Sequence, residues 1–356
     1  RSMDSFARQN ASERAAVFGE SGALRGVASI IIEKDFWVCW TLKRLFELQK
    51  GDAPTLVFKG GTSLSKAYGA IRRFSEDIDL SFDRADLGYD GDRNPEREGI
   101  SKKQSAKLID ALMADVEKHI ANKMLPALRE SIAVQLVEPV KGNWSLEIDA
   151  NDPQTLNFHY PAALTGQDYQ GVTYITPRVK LEFGARGDPW PTEQKTIRPY
   201  SADDFPAFFE NPDCTVTVLA ARRTFWEKVT ALHSEAHRPD DSPTTQYFSR
   251  RYYDVAMLLD TAEGQEAAVD FDMLAQVARH KAVYFRSSWA SYDTAHPGTL
   301  RLMPAQHRLK DLRADYSAMQ AMMFDETSYS FDEILARIET LQATLNTDVP
   351  AADTPK

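Results

Sequence analysis

Only two cysteines, Cys39 and Cys214, occur in 356 residues. With no CxxC spacing between them, they exclude a disulfide framework and a cysteine-based zinc cluster, and both are expected as small core residues. No apolar run approaches the ~18 residues that a membrane-spanning helix needs. The longest such stretch, residues 26–32, is followed at once by Glu33-Lys34-Asp35, and no secretory signal pattern is present. The chain therefore reads as soluble and cytoplasmic, with no membrane partner. Positive charge is also in deficit: 42 Lys and Arg face 52 Asp and Glu, a net charge of -10. That balance excludes a protein that coats nucleic acid by bulk attraction, though Arg72-Arg73, Lys102-Lys103, Arg222-Arg223 and Arg250-Arg251 could line a local basic strip. Neither GxxxxGK[ST] nor GxGxxG occurs, so a P-loop and a dinucleotide fingerprint are both absent. His233 and His237 are spaced as metal ligands can be, but the HExxH order is missing.

What is present is a large apolar complement. Hydrophobic residues make up 43% and aromatics 10%, enough for two cores. Residues 24–50 read as a helix, with Ile32, Phe36, Cys39, Leu42 and Phe46 at spacings of three and four. Thr55-Leu56-Val57-Phe58 reads as a strand ended by Gly60-Gly61, after which Thr62 can cap a helix through Tyr68. Asp77-Ile78-Asp79-Leu80-Ser81-Phe82 alternates, so both aspartates fall on one face of a strand and Ile78 and Leu80 on the other. Residues 83–104 are rich in Asp, Gly, Arg and Pro and read as a loop, followed by a helix over 104–122. Residues 131–137, 145–148 and 174–183 carry strand patterns, and helical periodicity takes over from about Thr217.

This order predicts an α/β fold, a mixed sheet flanked by helices and followed by a mostly helical domain. The expected division is 1–206, 207–348 and a disordered tail at 349–356.

The chemistry-bearing residues cluster around the alternating strand. Two aspartates on one strand face are suited to hard divalent cations such as Mg2+ or Mn2+, which prefer carboxylate oxygen. Glu182, on the apolar segment Val179-Lys180-Leu181-Glu182-Phe183, is the candidate third acid from a neighbouring strand. Gly60, Gly61, Thr62 and Ser63 open a helix whose N–H groups and hydroxyls can meet phosphate oxygens. Lys66 follows on that helix, and Ser75 lies two residues before the first aspartate. Arg178, Lys180 and Arg186 flank Glu182 and could guide a nucleic-acid phosphate.

Several of these segments together resemble the AbiEii/AbiGii-type toxins, nucleotidyltransferase-like proteins of the DNA polymerase β superfamily. Glu33-Lys34-Asp35-Phe36-Trp37 is similar to the family's N-terminal EKDYW element. Phe58-Lys59-Gly60-Gly61-Thr62-Ser63-Leu64-Ser65-Lys66 is similar to its glycine-serine motif. Arg73-Phe74-Ser75-Glu76-Asp77-Ile78-Asp79-Leu80 resembles its RxSxDIDL signature. Trp226-Glu227-Lys228, then Ala231-Leu232, resembles its EKhxAL helix, and Arg251-Tyr252-Tyr253-Asp254-Val255 its RDxYDL element, with tyrosine where the family often has an acid. The resemblance covers residues 33–260.

It implies transfer of a nucleotide from an NTP, with Mg2+, to an acceptor such as the 3′ end of tRNA, which blocks translation. Asp77, Asp79, Lys228 and Asp254 would be catalytic, and Asp77 and Asp79, joined by Glu182, would hold metal. Gly60, Gly61, Thr62, Ser63, Lys66, Ser75 and Lys228 would hold the triphosphate. A separately encoded antitoxin is the implied partner. A regulatory NTP-binding role, or phosphoryl transfer to a protein acceptor, is the alternative. A haloacid-dehalogenase phosphatase is disfavoured, because Arg72-Arg73-Phe74-Ser75-Glu76 replaces the apolar strand such an enzyme needs before its first aspartate.

Overall fold

The computed structural model describes residues 2–169, 175–324 and 329–347. The chain divides into two compact units, Arg1–Gly69 with Arg73–Leu219, and Ala70–Arg72 with Ala220–Lys356. No single helix among the described residues is long and apolar enough to cross a membrane.

In the first unit, seven strands form one mixed sheet: β1 (Leu56–Lys59), β2 (Asp77–Phe82), β3 (Ser145–Ile148), β4 (Thr155–His159), β5 (Val179–Gly184), β6 (Thr192–Ile197) and β7 (Cys214–Leu219). The order is β3-β4-β5-β2-β1-β7-β6. β2 runs parallel to β5, and β1 parallel to β7, while the other pairs are antiparallel. Because side chains alternate across a strand, one face collects Phe58, Ile78, Leu80, Leu156 and Leu181, all buried in the core. The Ser29–Glu47 helix supplies Trp37 and Trp40 to that core, where Trp37 stacks on Tyr160 and Trp40 on Phe158. Cutting either tryptophan to alanine would cost about 3–5 kcal/mol.

Five local expectations are corrected. The helix read over residues 24–50 is two helices, Ala11–Arg25 and Ser29–Glu47, because Gly26 adopts a left-handed φ of 67° and stops the first. Residues 131–137 are not a strand: through Gln135 they continue the Leu125–Gln135 helix, which buries Leu125, Leu128 and Ile132 at helical spacing. Helical structure begins at Ala221 rather than Thr217, since Thr217 belongs to β7 and pairs with Gln194. Thr62 does not cap its helix, which starts at Gly60 with Lys59 in the capping position. The strand expected over 174–183 starts at Val179, with Tyr174 outside the described residues, as is the tail beyond residue 347.

The second unit is helical where described, with Ala221–Ala236, Ser249–Leu258, Phe271–Tyr284, Leu309–Ala318 and Phe331–Thr347 as its longer helices. Their apolar stripes meet around Trp226, Tyr252 and Phe331, and Tyr252 packs edge-on against Phe331 at 6.1 Å.

Candidate active site

The second face of the sheet is polar at its centre, and strand register explains why. β2 lies between β1 and β5, so Lys59, Asp79, Glu182 and Thr155 form one row across four strands. Asp77, Lys180 and Asn157 form the next row on the same face. Asp79 and Glu182 carboxyls hydrogen-bond to each other, and Lys180 Nζ stands 3.1 Å from Glu182 Oε1. Burial, then the hydrogen bond and charge of Asp79, pushes the Glu182 carboxyl up to about 7.

A raised folded-state pKa binds protons more tightly than the unfolded chain does. The stabilisation from Glu182 is thus complete below the usual carboxylate range and lost as pH rises through about 7. We expect the melting temperature of metal-free protein to fall across that interval, and Glu182→Gln or added divalent cation to flatten the fall. A profile unchanged by Glu182→Gln would rule out the shared proton.

The pair fits a divalent cation. Two hard carboxylates lie opposite each other on neighbouring strands, and a cation there would offset both their burial and their mutual repulsion. No three His, Cys, Asp or Glu side chains converge as one ligand cluster among the described residues. Magnesium is usually held by one or two carboxylates completed by substrate phosphates and water, so a three-acid cage is not required.

The glycine turn is built against this row. Gly60 has φ 82°, and a Cβ there would collide with Asp79 Oδ2. A Cβ on Gly61 would come within 2.7 Å of the Arg73 guanidinium and 2.9 Å of Ser75 Oγ. Thr62 Oγ1 donates to the Asp77 carbonyl at 2.6 Å and to that of Ser75 at 3.1 Å, fixing the start of β2 to the Gly60–Lys66 helix. Ser63 is buried on that helix. Lys66 is held by three groups: its ammonium lies 2.8 Å from Asp35 Oδ1, donates to the Arg198 carbonyl at 2.8 Å and sits 3.5 Å above the Tyr200 ring. Burial would lower the Lys66 pKa, but the Asp35 carboxylate outweighs it and holds the ammonium above its usual value.

The charged residues of the Ser29–Glu47 helix fasten the site from behind. Glu33 accepts from the Ala163 and Leu164 amides and the Tyr169 hydroxyl. Lys34, buried, donates to the Thr176 carbonyl at 3.2 Å and lies 3.6 Å from Glu76, and burial pulls its pKa down. Asp35 accepts from the Tyr200 amide as well as from Lys66. Lys34 and Lys59 are cations beside the acid rows to which the sequence expectations give no role. Lys59 had one local signal, its place at a strand end just before two glycines.

In the second unit Lys228 Nζ donates to Asp254 Oδ2 at 2.8 Å, and Asp254 is fully buried. Lys228 stands on the Ala221–Ala236 helix and Asp254 on Ser249–Leu258. His233 is a satisfied core residue, bonded to Ser291 O and Thr294 Oγ1 through Nε2 and to the Arg301 amide through Nδ1, with its pKa lowered to about 4 by burial.

A mixed sheet that sets a carboxylate pair beside a glycine-opened helix defines a class, the nucleotidyltransferases. A family model described as nucleotidyl transferase AbiEii toxin, type IV toxin–antitoxin system, matches residues 43–337, and the chain belongs to this family. Divalent metal and an NTP are general requirements of such enzymes, and an antitoxin is the general partner in such systems. Among solved structures the chain is similar to MenT4, a nucleotidyltransferase toxin from Mycobacterium tuberculosis, at 16% identity and TM-score 0.51 over 95% of this chain and 90% of that one. At that identity the likeness is one of fold. Comparison with curated proteins found no match.

Proposed function

We propose that this toxin transfers a nucleotide from a Mg2+-bound NTP to the 3′ end of tRNA, and that a separately encoded antitoxin opposes it. The observation that carries this reading is the Asp79–Glu182 carboxyl pair set against Gly60. Asp77 and Asp79 would hold the metal with Glu182 beside them, and the cation would neutralise charge on the transferring phosphate. The amides of Gly60 and Gly61 would face the triphosphate, with Ser75 Oγ and the inner side of Thr62 shaping the turn. Lys228, held by Asp254, is the cation to which the family resemblance gives a phosphate-binding role. Lys66 would act by anchoring the glycine helix to Asp35.

In the reaction the acceptor hydroxyl oxygen bonds to the α-phosphorus as the bond from that phosphorus to the bridging oxygen breaks. Pyrophosphate leaves with the bonding electrons, and the hydroxyl proton would pass to the Glu182 carboxylate beside the metal-holding aspartates.

The test is incubation with each α-32P-labelled NTP, Mg2+ or Mn2+, and total bacterial tRNA, beside an Asp79→Ala control. Label on tRNA that disappears in the control is the expected result. Label on protein instead would move the acceptor to a polypeptide, and no label with any NTP would overturn nucleotide transfer to tRNA.

A further inference from the structure

Lys59 is a half-buried lysine directly across β1–β2 from Asp79, yet it does not pair with that carboxylate. Asp79 turns instead toward Glu182 and the α-carbon of Gly60. Among the described residues the Lys59 ammonium has no hydrogen-bond or ion-pair partner. It runs toward Gly187, where a Cβ would stand 2.7 Å from Lys59 Nζ and 3.3 Å from Ser81 Oγ. Ser81 lies two residues past Asp79 on the same face of β2, is 1% exposed, and its hydroxyl makes no hydrogen bond. Burying the Ser81 hydroxyl without a partner is unfavourable in the free protein. An oxyanion held by the Lys59 ammonium would accept the Ser81 proton in a hydrogen bond and relieve that cost.

The position of this cluster selects which oxyanion. β2 and β5 run parallel, so Ser81 and Gly187 lie toward their C-terminal ends, beyond the Asp79–Glu182 row. The glycine helix, Ser75 and Arg73 lie on the N-terminal side, where the triphosphate tail would be held. In-line displacement puts the attacking hydroxyl opposite the leaving pyrophosphate. The acceptor strand therefore has to arrive at the Lys59 side.

We propose that Lys59, Ser81 and Gly187 form a phosphate subsite that holds the last backbone phosphate of the acceptor RNA beside the Asp79–Glu182 pair. The lysine supplies charge, the serine a hydroxyl donor, and the missing side chain of Gly187 the room for both. The identity of the ligand rests on the nucleotide-transfer reading above; its phosphate chemistry does not.

The test compares wild type with Lys59→Gln, Gly187→Ala and Ser81→Ala. Binding of a fluorescein-labelled single-stranded RNA ending in CCA is followed by anisotropy across a salt series, and binding of each Mg2+·NTP is measured separately. Lys59→Gln should weaken RNA about tenfold and flatten the salt slope by about 0.7, as loss of one single-strand phosphate contact does, with NTP affinity unchanged. Gly187→Ala should weaken RNA by displacing the ammonium. Ser81→Ala should also weaken RNA while raising the melting temperature, a combination that a structural serine does not produce.

Weaker NTP with unchanged RNA would reassign the subsite to the donor triphosphate and overturn the acceptor assignment. If wild type binds both ligands and no variant alters either, the subsite is refuted while nucleotide transfer stands. If wild type binds no RNA, the tRNA reading fails. Inorganic phosphate then decides the subsite: thermal protection lost in Lys59→Gln supports it, and protection unchanged refutes it.

Discussion

Asp79→Ala should reduce label transfer on the order of a thousandfold, the scale of losing a preorganised charged contact to the transition state. At pH about 8 the same variant should melt no lower than wild type, because it removes the carboxylate that presses on Glu182. Lost activity with retained or increased stability marks residues held in an unfavourable arrangement for function. Gly60→Ala should behave differently. Its left-handed φ of 82° disfavours any side chain, and the new Cβ would drive into Asp79 Oδ2. That variant should lose activity nearly as far and also lose roughly 1–3 kcal/mol of stability. Kinetics and melting on the two variants check both statements, and a fully active Gly60→Ala would sink the close approach of the turn to the acid row.

Asp35→Ala should be the most destabilising single change near the site. Asp35 and Lys66 are 2% and 6% exposed, so removing the acid strands a buried ammonium. Breaking one side of such a pair costs about 3–5 kcal/mol. For a chain of this size that is a fall of roughly 4–7 °C in melting temperature. Replacing both partners, Asp35→Leu with Lys66→Met, should recover most of the loss, since an apolar pair of similar volume needs no counter-charge. If transfer recovers with stability, Lys66 anchors the helix. If stability recovers and transfer does not, Lys66 meets phosphate as the sequence resemblance implied. A double variant as unstable as the single one would show that pairing was not the source of the effect.

Local sequence was informative wherever a property repeats within a few residues. The two-residue alternation of Asp77-Ile78-Asp79-Leu80 set both acids on one face, because successive strand side chains point to opposite sides. The glycine pair ended β1 and opened a helix for equally local reasons. Residues 131–137 failed the same kind of reading. Their branched residues suggest a strand in isolation, but only the core tells that Ile132 is inside while Val134 and Val137 are exposed.

The amino-acid order by itself thus determined the polar stripe of β2, the glycine turn and the helical character of the later chain, through short-range sterics and periodicity. Tertiary structure alone decided that Glu182 lies opposite Asp79, that Lys66 is engaged by Asp35, and that Lys59, Ser81 and Gly187 converge. Strand register and burial decided these contacts, and both are set by how distant segments pack together.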